Sequence, residues 1–258
     1  MTDKLRLDEP AAGVARLTIS NPDRRGALDH ELLDALAEHS RTLDARCLVI
    51  RGSGPVFSAG YDIGDLEDAG FEETAERLVA HPFHEAIEAL EAYPFPVVGQ
   101  INGHAIGGGL ELALTCDIRI AARGVKLGMP PAKLGLIYSH TGLLKFMQVC
   151  GPANTAELFY VGRNVDAERA ERMGLVNEVV EQDELDDLVL DLAAEIASGA
   201  PLSLAGNKRI LRALRAQTLP PELERELVDL RESCFRSEDF REGVRAFAEK
   251  RRPVWRGR

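Results

Sequence analysis

A glycine-rich stretch at residues 102–111, with the sequence NGHAIGGGLE, carries the residue types best suited to chemistry. Its consecutive glycines precede a helix-favouring segment, and a backbone without Cβ atoms lets N–H groups approach a ligand closely. The first N–H groups of a helix have no partner within it and lie at the positive end of its dipole. These donors can stabilise a developing oxyanion, and one such donor lowers a reaction barrier by about 3 kcal/mol.

Glu111 directly follows these glycines, in the otherwise apolar sequence LELAL. A carboxylate in such surroundings is either buried with a raised pKa or directed into a pocket. The alternative is that the glycines only allow close packing of a helix on a sheet while Glu111 points to solvent. Glycine-rich turns are common, so this stretch alone does not decide between the two interpretations.

A second glycine-bearing loop, FSAGYDI at residues 57–63, follows the apolar run CLVIR at residues 47–51. By itself it is best interpreted as an ordinary loop. Two such loops after two neighbouring strands, however, can supply two converging N–H donors. Acyl-transfer and enolate chemistry both need that arrangement.

The elements that must position these loops alternate between strand-like and helix-like sequence over the first half of the chain. Such alternation predicts an α/β fold with helices packed on the faces of a sheet. We predict strands at residues 14–20, 47–51, 97–101 and 118–121, helices at residues 28–43, 72–92 and 110–114, and a glycine-rich turn at residues 102–109.

The sequence becomes almost wholly helical from about residue 183 onward. Helical periodicity marks residues 185–197, a further segment from Pro201, and residues 222–235 and 238–250. We therefore predict two parts, an α/β core at residues 1–199 that holds the site and a helical region at residues 200–258.

The composition disfavours several classes of protein, among them nucleic-acid-binding, disulfide-bonded and membrane-spanning proteins. The 258 residues have a formal net charge of −11, which disfavours binding to nucleic acid or to anionic lipid. The four cysteines lie far apart without a C-x-x-C pair, which disfavours disulfides and zinc sites and indicates a reducing compartment. The charged start and the absence of a long apolar run predict no signal peptide and no membrane span. We expect a cytoplasmic enzyme, with neither a dinucleotide-binding G-x-G-x-x-G nor a G-x-S-x-G nucleophile elbow.

Both loops, in this order and spacing, resemble those of the crotonase (enoyl-CoA hydratase/isomerase) superfamily. The resemblance extends over essentially the whole chain, through NPDRRGAL at 21–28, LGMPPAKLGL at 127–136, AERMGLVNEV at 170–179 and SEDFREGVRAFAEKRRP at 237–253. It implies a spiral of ββα units with a helical C-terminal trimerisation region, and therefore a homotrimer or a dimer of trimers. It also implies an acyl-CoA thioester as substrate. Because nothing in the sequence calls for a metal or a redox cofactor, we expect no cofactor besides this thioester and no metal.

The resemblance also assigns expected roles to residues. The oxyanion-hole donors fall on the backbone N–H groups of Tyr61 and Gly108, and Glu111 falls on the first catalytic glutamate. A solvated turn stays open as the alternative for Arg24 and Arg25, a role as a turn acceptor for Asp62, and an interaction with a helix dipole for Lys250. The residues expected to bind CoA are Arg24, Arg25, Ala59, Asp62, Ile63 and Lys250, with Arg24 and Arg25 beside the phosphates.

One departure from the family pattern bears on the reaction. The second catalytic glutamate of the hydratases should follow Pro130, and here Pro131 occupies that place. Hydration uses two carboxylates to position and deprotonate water and to protonate the α-carbon. Because proline has no titratable group, the two-carboxylate mechanism cannot operate in its usual form.

The nearby sequence LGLIY, which ends at Tyr138, resembles the methylmalonyl-CoA decarboxylase branch, where a tyrosine at this place lines the acyl pocket. That branch also keeps a glutamate at the Glu111 position, but it usually has histidine at the Tyr61 position. Tyr138 could instead be a core aromatic with its hydroxyl bonded to backbone. His140 is a further candidate proton donor, with a similar structural alternative.

Three functions stay open. Decarboxylation of a methylmalonyl-CoA-type thioester needs an oxyanion hole for the enolate and no base to begin, so it suits a site without the second glutamate. An enoyl-CoA hydratase or isomerase could work with Glu111 alone, because proton removal and return need only one carboxylate. A catalytically idle binding protein with the crotonase fold is the third. We predict the decarboxylase, with Glu111, Tyr138 and His140 as the catalytic residues.

Overall fold

The computed structural model describes residues 2–61, 81–215, 221–254 and 256, and within them strands alternate with helices. The strands are β1 (Leu5–Ala11), β2 (Val14–Ile19), β3 (Cys47–Gly52), β4 (Val56–Ser58), β5 (Val97–Ile101), β6 (His104–Ile106), β7 (Ile118–Ala122), β8 (Lys126–Gly128), β9 (Val165–Asp166) and β10 (Glu178–Val180). The helices are α1 (His30–Thr42), α2 (His81–Ala92), α3 (Gly108–Thr115), α4 (Pro131–Leu134), α5 (His140–Ala156), α6 (Ala167–Arg172), α7 (Leu185–Ser198), α8 (Pro201–Arg215), α9 (Pro221–Phe235) and α10 (Glu238–Ala248).

The larger sheet forms the centre of the fold. Its strand order is β1-β2-β3-β5-β7-β10, and every pair is parallel except the antiparallel β1–β2 pair at one edge. The apolar run of β3 is buried, with Leu48, Val49 and Ile50 fully excluded from solvent. Parallel strands covered on both faces read as continuous apolar sequence, which is why this strand could be predicted.

A smaller sheet carries the two glycine-bearing loops. Its strand order is β4-β6-β8-β9, and its strands are two or three residues long. The predicted turn at residues 102–109 is therefore not a single turn, because β6 lies within it, and the loop predicted at residues 57–63 begins inside β4. Strands this short carry no readable periodicity, and the parallel pairing of β4 with β6 brings the two loops side by side.

The predicted helices and strands of the larger sheet agree with the structure to within a few residues. Helix α1 begins at an Asp29 cap, whose carboxylate accepts the Leu32 N–H at 3.0 Å. Of the helix predicted at residues 72–92, only the part in α2 lies in the described residues. The strand predicted at residues 97–101 coincides with β5.

The C-terminal helices pack back onto the remainder of the same chain. A Cβ added at Gly243 of α10 would lie 2.2 Å from the Leu134 carbonyl oxygen, so α10 lies directly against the end of α4. The division at residue 199 and the trimerisation role of these helices stay predictions. Within the described residues, no single helix is long and apolar enough to span a membrane, although α7 and α8, bent by 105° at their junction, pass that test when taken together.

Candidate active site

The two glycine-bearing loops meet at Gly60. This residue has φ +90°, and a Cβ added there would lie 2.8 Å from the Ile106 carbonyl oxygen and 2.9 Å from the Gly108 nitrogen. Only glycine fits both the backbone angle and the space. The loop that contains Tyr61 therefore lies against the start of α3, as the two converging loops require, while the role of the Tyr61 and Gly108 N–H groups as oxyanion donors stays a prediction.

Helix α3 carries Glu111 in its first turn, directly after the glycine-rich loop. Gly107 precedes the helix with φ +58°, and its carbonyl oxygen accepts the Glu111 N–H at 3.1 Å. Glu111 lies in the first turn of α3, is 5% exposed, and lines a cavity of about 740 Å³. The burial expected from its apolar neighbours is confirmed, and so is its position on a pocket.

Tyr138 is the direct partner of Glu111. Its hydroxyl donates a hydrogen bond to Oε2 of Glu111 across a buried contact. Burial raises the pKa of Glu111, while the Lys145 charge and the Tyr138 hydrogen bond act in the opposite direction without cancelling it. Burial and the nearby Glu111 raise the pKa of Tyr138 well above its usual value, so Tyr138 keeps its proton. The alternative in which the Tyr138 hydroxyl bonds to backbone is wrong.

Pro131 occupies the first position of the short helix α4 and is buried. Proline suits this position because the first helical N–H has no partner within the helix. The side chain at the place expected for the second glutamate is therefore an apolar ring inside the protein.

The Tyr61 side chain extends over the start of α3. A Cβ added at Gly108 would lie 3.2 Å from the Tyr61 Cζ atom, so the phenol ring covers this residue. The ring also packs edge-on against Phe83, with centroids 4.8 Å apart. Its nearness to Tyr138 is one of the smaller influences that raise the pKa of Tyr138.

An ion pair on the cavity wall was not predicted from the sequence. The Lys145 ammonium group lies 2.8 Å from Oε1 of Glu91 and donates to Oγ1 of Thr115 at 2.7 Å. Thr115 in turn donates to the Glu111 carbonyl oxygen, which joins the pair to the helix that carries Glu111. The only signal in the sequence was the isolated charge of Lys145 within the apolar run LLKFM.

His140 lies on the wall of the same cavity, at the first residue of α5. Its Nε2 atom is 3.7 Å from Oε1 of Glu224, a residue of α9. The structure thus places His140 beside a C-terminal helix, and its role as a proton donor stays a prediction.

The residues expected to bind CoA divide into two groups. Arg24 and Arg25 are exposed on a short turn, and the Arg25 carbonyl oxygen accepts the Ala59 N–H at 3.1 Å, so this basic step adjoins the loop that leads to Tyr61. Lys250 is exposed just beyond α10. Asp62 and Ile63 lie outside the described residues.

No group of three or more His, Cys, Asp or Glu side chains with metal-binding geometry occurs in the part of the chain that the structure describes. The expectation that the enzyme needs no metal and no cofactor besides its CoA thioester stays a prediction.

Comparisons with known proteins agree with this architecture. The family model described as enoyl-CoA hydratase/isomerase matches residues 9–258. A probable enoyl-CoA hydratase of Bacillus subtilis (strain 168) is 34% identical over 249 residues, 95% of each chain. A carnitinyl-CoA dehydratase of Salmonella paratyphi A is 34% identical over 260 residues, also 95% of each chain. A solved structure of methylmalonyl-CoA decarboxylase with 2-nitronate-propionyl-CoA superposes with a TM-score of 0.89 at 29% identity, over the full length of both chains.

Proposed function

We propose that this chain, which belongs to the enoyl-CoA hydratase/isomerase family and has the crotonase fold, decarboxylates a methylmalonyl-CoA-type thioester. The observation that carries the proposal is the buried hydrogen bond between Tyr138 and Glu111, in a site where Pro131 occupies the place of a second glutamate. One carboxyl group paired with a phenol suits a reaction that needs a single proton donor.

The first step breaks the bond between the α-carbon and the substrate carboxylate. The electron pair of that bond moves into the thioester as CO2 leaves, which forms an enolate with its negative charge on the thioester oxygen. In the proposed site, the N–H groups of Tyr61 and Gly108 bind this oxygen. Fixed donors in a water-poor site supply most of the stabilisation such a step needs, so no base takes part.

The second step transfers a proton to the α-carbon of the enolate. Because burial raises the pKa of Glu111, its neutral acid form is favoured, and a neutral carboxyl group is a proton donor. A neutral Glu111 also avoids charge repulsion against the substrate carboxylate, which an ionised Glu111 would impose. After the transfer, Glu111 regains its proton from water and the thioester product leaves.

Tyr138 takes part in both steps through its hydroxyl group. Its hydroxyl holds Oε2 of Glu111, and its position beside Glu111 on the cavity wall also allows contact with the departing carboxylate. Rotation of that carboxylate out of the thioester plane aligns the breaking bond with the developing enolate. We therefore assign Tyr138 to positioning both the acid and the substrate.

An enoyl-CoA hydratase or isomerase that uses Glu111 alone is the second candidate. It is favoured by the names of the two relatives at 34% identity, a probable enoyl-CoA hydratase and a carnitinyl-CoA dehydratase. A single buried carboxyl group can remove and return a proton, which suits isomerisation better than the addition of water.

The test is a panel of separate incubations with three substrates. Methylmalonyl-CoA and malonyl-CoA are labelled at the free carboxylate, and crotonyl-CoA is unlabelled. We expect labelled CO2 and propionyl-CoA from methylmalonyl-CoA, with crotonyl-CoA unchanged. The proposal would be overturned if neither methylmalonyl-CoA nor malonyl-CoA released CO2. Turnover of any of these substrates excludes a catalytically idle binding protein.

The assembly state expected for the family is tested separately from the reaction. We expect a homotrimer or a dimer of trimers, with the C-terminal helices at the contacts. Light scattering coupled to size-exclusion chromatography measures the molar mass directly, and a monomer would contradict this expectation.

A further inference from the structure

We propose that Arg119, together with Arg212 and Arg215, forms an anion-binding subsite for a carboxylate at the far end of the acyl group of the CoA substrate. The subsite rests on the proposed function in one respect, since the thioester is taken to lie at the glycine-rich loops. The substrates would then include dicarboxylic acyl-CoA thioesters whose second carboxylate is distant from the thioester carbonyl.

Arg119, in β7, is a buried arginine without an acidic partner. It is 7% exposed, and its two hydrogen bonds go to neutral carbonyl oxygens, from Nε to Leu175 at 2.7 Å and from Nη1 to Cys116 at 2.6 Å. No carboxylate of the described residues lies within ion-pair distance of it. An uncompensated buried charge is costly, and burial lowers the pKa of Arg119. A guanidinium has five N–H donors, so three are left for a ligand.

Two further arginines face the same cavity from α8. Lys208, Arg212 and Arg215 all line its wall, and their spacing of four and three residues places them on one face of the helix. Lys208 is paired with Asp117 at 2.8 Å, whereas Arg212 and Arg215 have no ion-pair partner in the described parts of the chain. Because the whole protein has a net charge of −11, these arginines form a local surplus of positive charge, which favours an anionic ligand.

The other acidic side chains on the cavity wall are not available to these arginines. Glu111 is neutral in the proposed mechanism. The remaining glutamates each lie beside another basic side chain, in the pairs Glu91 with Lys145, Glu88 with His84 and Glu224 with His140. The charge that balances the arginines is therefore expected from a ligand.

The subsite lies at the opposite end of α3 from the glycine-rich loops. The helix begins at Gly108, and Arg119 binds the carbonyl oxygen of Cys116, the residue directly after its last turn. At 1.5 Å per residue, Cys116 lies about 7.5 Å beyond Glu111 along the helix axis. Glu111, Leu114 and Arg119 line the same cavity. An acyl chain that runs from the loops along α3 therefore passes apolar Leu114 and ends at Arg119.

The chemistry of arginine identifies the group that binds there. Its planar guanidinium presents parallel N–H donors that match the two oxygens of a carboxylate. Because the cavity is shared with Glu111, the source of this carboxylate is the acyl chain itself rather than a separate anion. The subsite thus selects acyl groups by their far end, while the glycine-rich loops bind the thioester.

The test compares the binding of matched acyl-CoA pairs by isothermal titration calorimetry. Succinyl-, glutaryl- and adipyl-CoA carry a terminal carboxylate, and butyryl-, pentanoyl- and hexanoyl-CoA are their neutral counterparts of equal chain length. None has a carboxylate on the α-carbon, so binding is measured without decarboxylation. We expect at least one dicarboxylic thioester to bind about tenfold to a hundredfold more tightly than its counterpart, as charge-assisted hydrogen bonds provide. Equal binding within all three pairs would overturn the proposal.

Substitutions of the arginines identify the source of this preference. The double substitution Arg212→Gln with Arg215→Gln removes two exposed charges and should reduce the preference about fivefold. Arg209→Gln, at an exposed arginine of the same helix that does not line the cavity, is the matched control and should keep the full preference. Arg119→Met, with folding checked by circular dichroism, should abolish it. An unchanged preference in the double variant or in folded Arg119→Met would overturn the proposal.

A free dicarboxylate distinguishes the acyl chain from a separate anion. Glutarate, supplied with saturating propionyl-CoA, should bind at least about a hundredfold more weakly than glutaryl-CoA, because its carboxylate is not tethered. Comparable affinities would overturn the assignment to the acyl chain. A preference for a dicarboxylic thioester in an enzyme that releases no CO2 from methylmalonyl-CoA would support the subsite while the proposed function fails. Release of CO2 without such a preference would overturn the subsite alone.

Discussion

Two helices begin at the site, and they differ in the residue that their first turn carries. Helix α3 begins at Gly108 and presents Glu111, which is hydrogen-bonded to Tyr138. Helix α4 begins at Pro131, whose buried ring has no proton to give or take. A hydratase of this family is expected to have a carboxylate at both places. The proposed mechanism therefore assigns the acid–base chemistry to the α3 side.

The difference explains why one fold can support different reactions on an acyl-CoA. In the proposed site, stabilisation of an enolate depends on the loops that meet at Gly60 and Gly108, and both candidate reactions need it. Addition of water depends in addition on a second carboxylate. In the proposed mechanism, the absence of that group leaves enolate formation possible, and Tyr138 is the hydrogen-bond partner of the remaining glutamate. Substitutions in one of the two helices at a time test this difference.

The largest effect is expected from Glu111→Gln, which removes the only proton donor assigned to the α3 side. General acid–base catalysis contributes about 100-fold to 10,000-fold, so turnover of methylmalonyl-CoA should fall by that order. Steady-state propionyl-CoA formation measures it. Glu171→Gln, at an exposed glutamate, should have normal turnover. Unchanged turnover in Glu111→Gln would show that the proton comes from another group.

The same substitution changes how stability depends on pH. The pKa of Glu111 is raised in the folded state by burial, so the folded protein binds this proton more tightly than the unfolded chain does. Stability from this group is therefore greatest at low pH and falls as pH rises from the unfolded value of 4.5 through the raised folded value. Glu111→Gln should remove that fall. Thermal unfolding at pH 5 and pH 8 compares the two proteins, and an equal pH dependence would contradict the raised pKa.

A smaller loss is expected from Tyr138→Phe, which keeps the ring that packs on Phe159 but removes the hydroxyl. Loss of a buried hydrogen bond of this kind predicts turnover lower by about tenfold. The hydrogen bond lowers the pKa of Glu111, so its removal raises that pKa further. Because neutral Glu111 is the proposed proton donor, the decline of activity at high pH should move to higher pH. A tenfold loss of turnover with an unchanged pH profile would show that Tyr138 does not act through the pKa of Glu111.

Pro131→Glu tests the comparison from the α4 side by restoring a carboxylate there. The first turn of a helix favours an acidic side chain, but a buried charge is costly, so we expect the protein to lose about 1–3 kcal/mol of unfolding free energy. We expect slower decarboxylation, since the introduced carboxylate, when ionised, repels the substrate carboxylate, and we expect hydration of crotonyl-CoA to appear. Pro131→Gln is the uncharged control and should not hydrate crotonyl-CoA. Hydration by both variants would show that charge at this place is irrelevant.

The smallest effect is expected from Lys145→Met. Lys145 lies in an ion pair with Glu91, and its positive charge lowers the pKa of Glu111. Its removal should raise that pKa and extend activity to higher pH, with little change in maximal turnover. A pH–rate profile measures the shift, and Lys126→Met, at an exposed lysine, is the matched control. A shift to lower pH would contradict the assigned sign.

Much of the larger sheet and of its helices could be predicted from the sequence because their signals are local. The apolar run of β3 and the strand at β5 are continuous buried segments, and α1 has an amphipathic period with an Asp29 cap. The smaller sheet could not be predicted, because its strands are too short for a period to emerge. The pairing of these strands depends on contacts between residues far apart in the chain.

In the candidate site, too, the features with local sequence signals could be predicted, and the contacts between distant residues could not. The burial of Glu111 could be predicted because its apolar neighbours are adjacent in sequence. The lack of a carboxylate at position 131 follows directly from the residue type, proline. The hydrogen bond from Tyr138, by contrast, joins residues 27 positions apart and depends on how α4 and α5 turn the chain. The pairing of Lys145 with Glu91 joins α5 to α2 and likewise needs the folded structure.

A site that keeps Glu111 but has Pro131 in place of the second catalytic glutamate should release CO2 rather than add water. The most direct test supplies equal amounts of methylmalonyl-CoA and crotonyl-CoA to the enzyme in a single reaction in D2O and follows all CoA thioesters by mass spectrometry. We expect propionyl-CoA that carries deuterium at the α-carbon, with crotonyl-CoA intact. Formation of 3-hydroxybutyryl-CoA while methylmalonyl-CoA stays unchanged would contradict it.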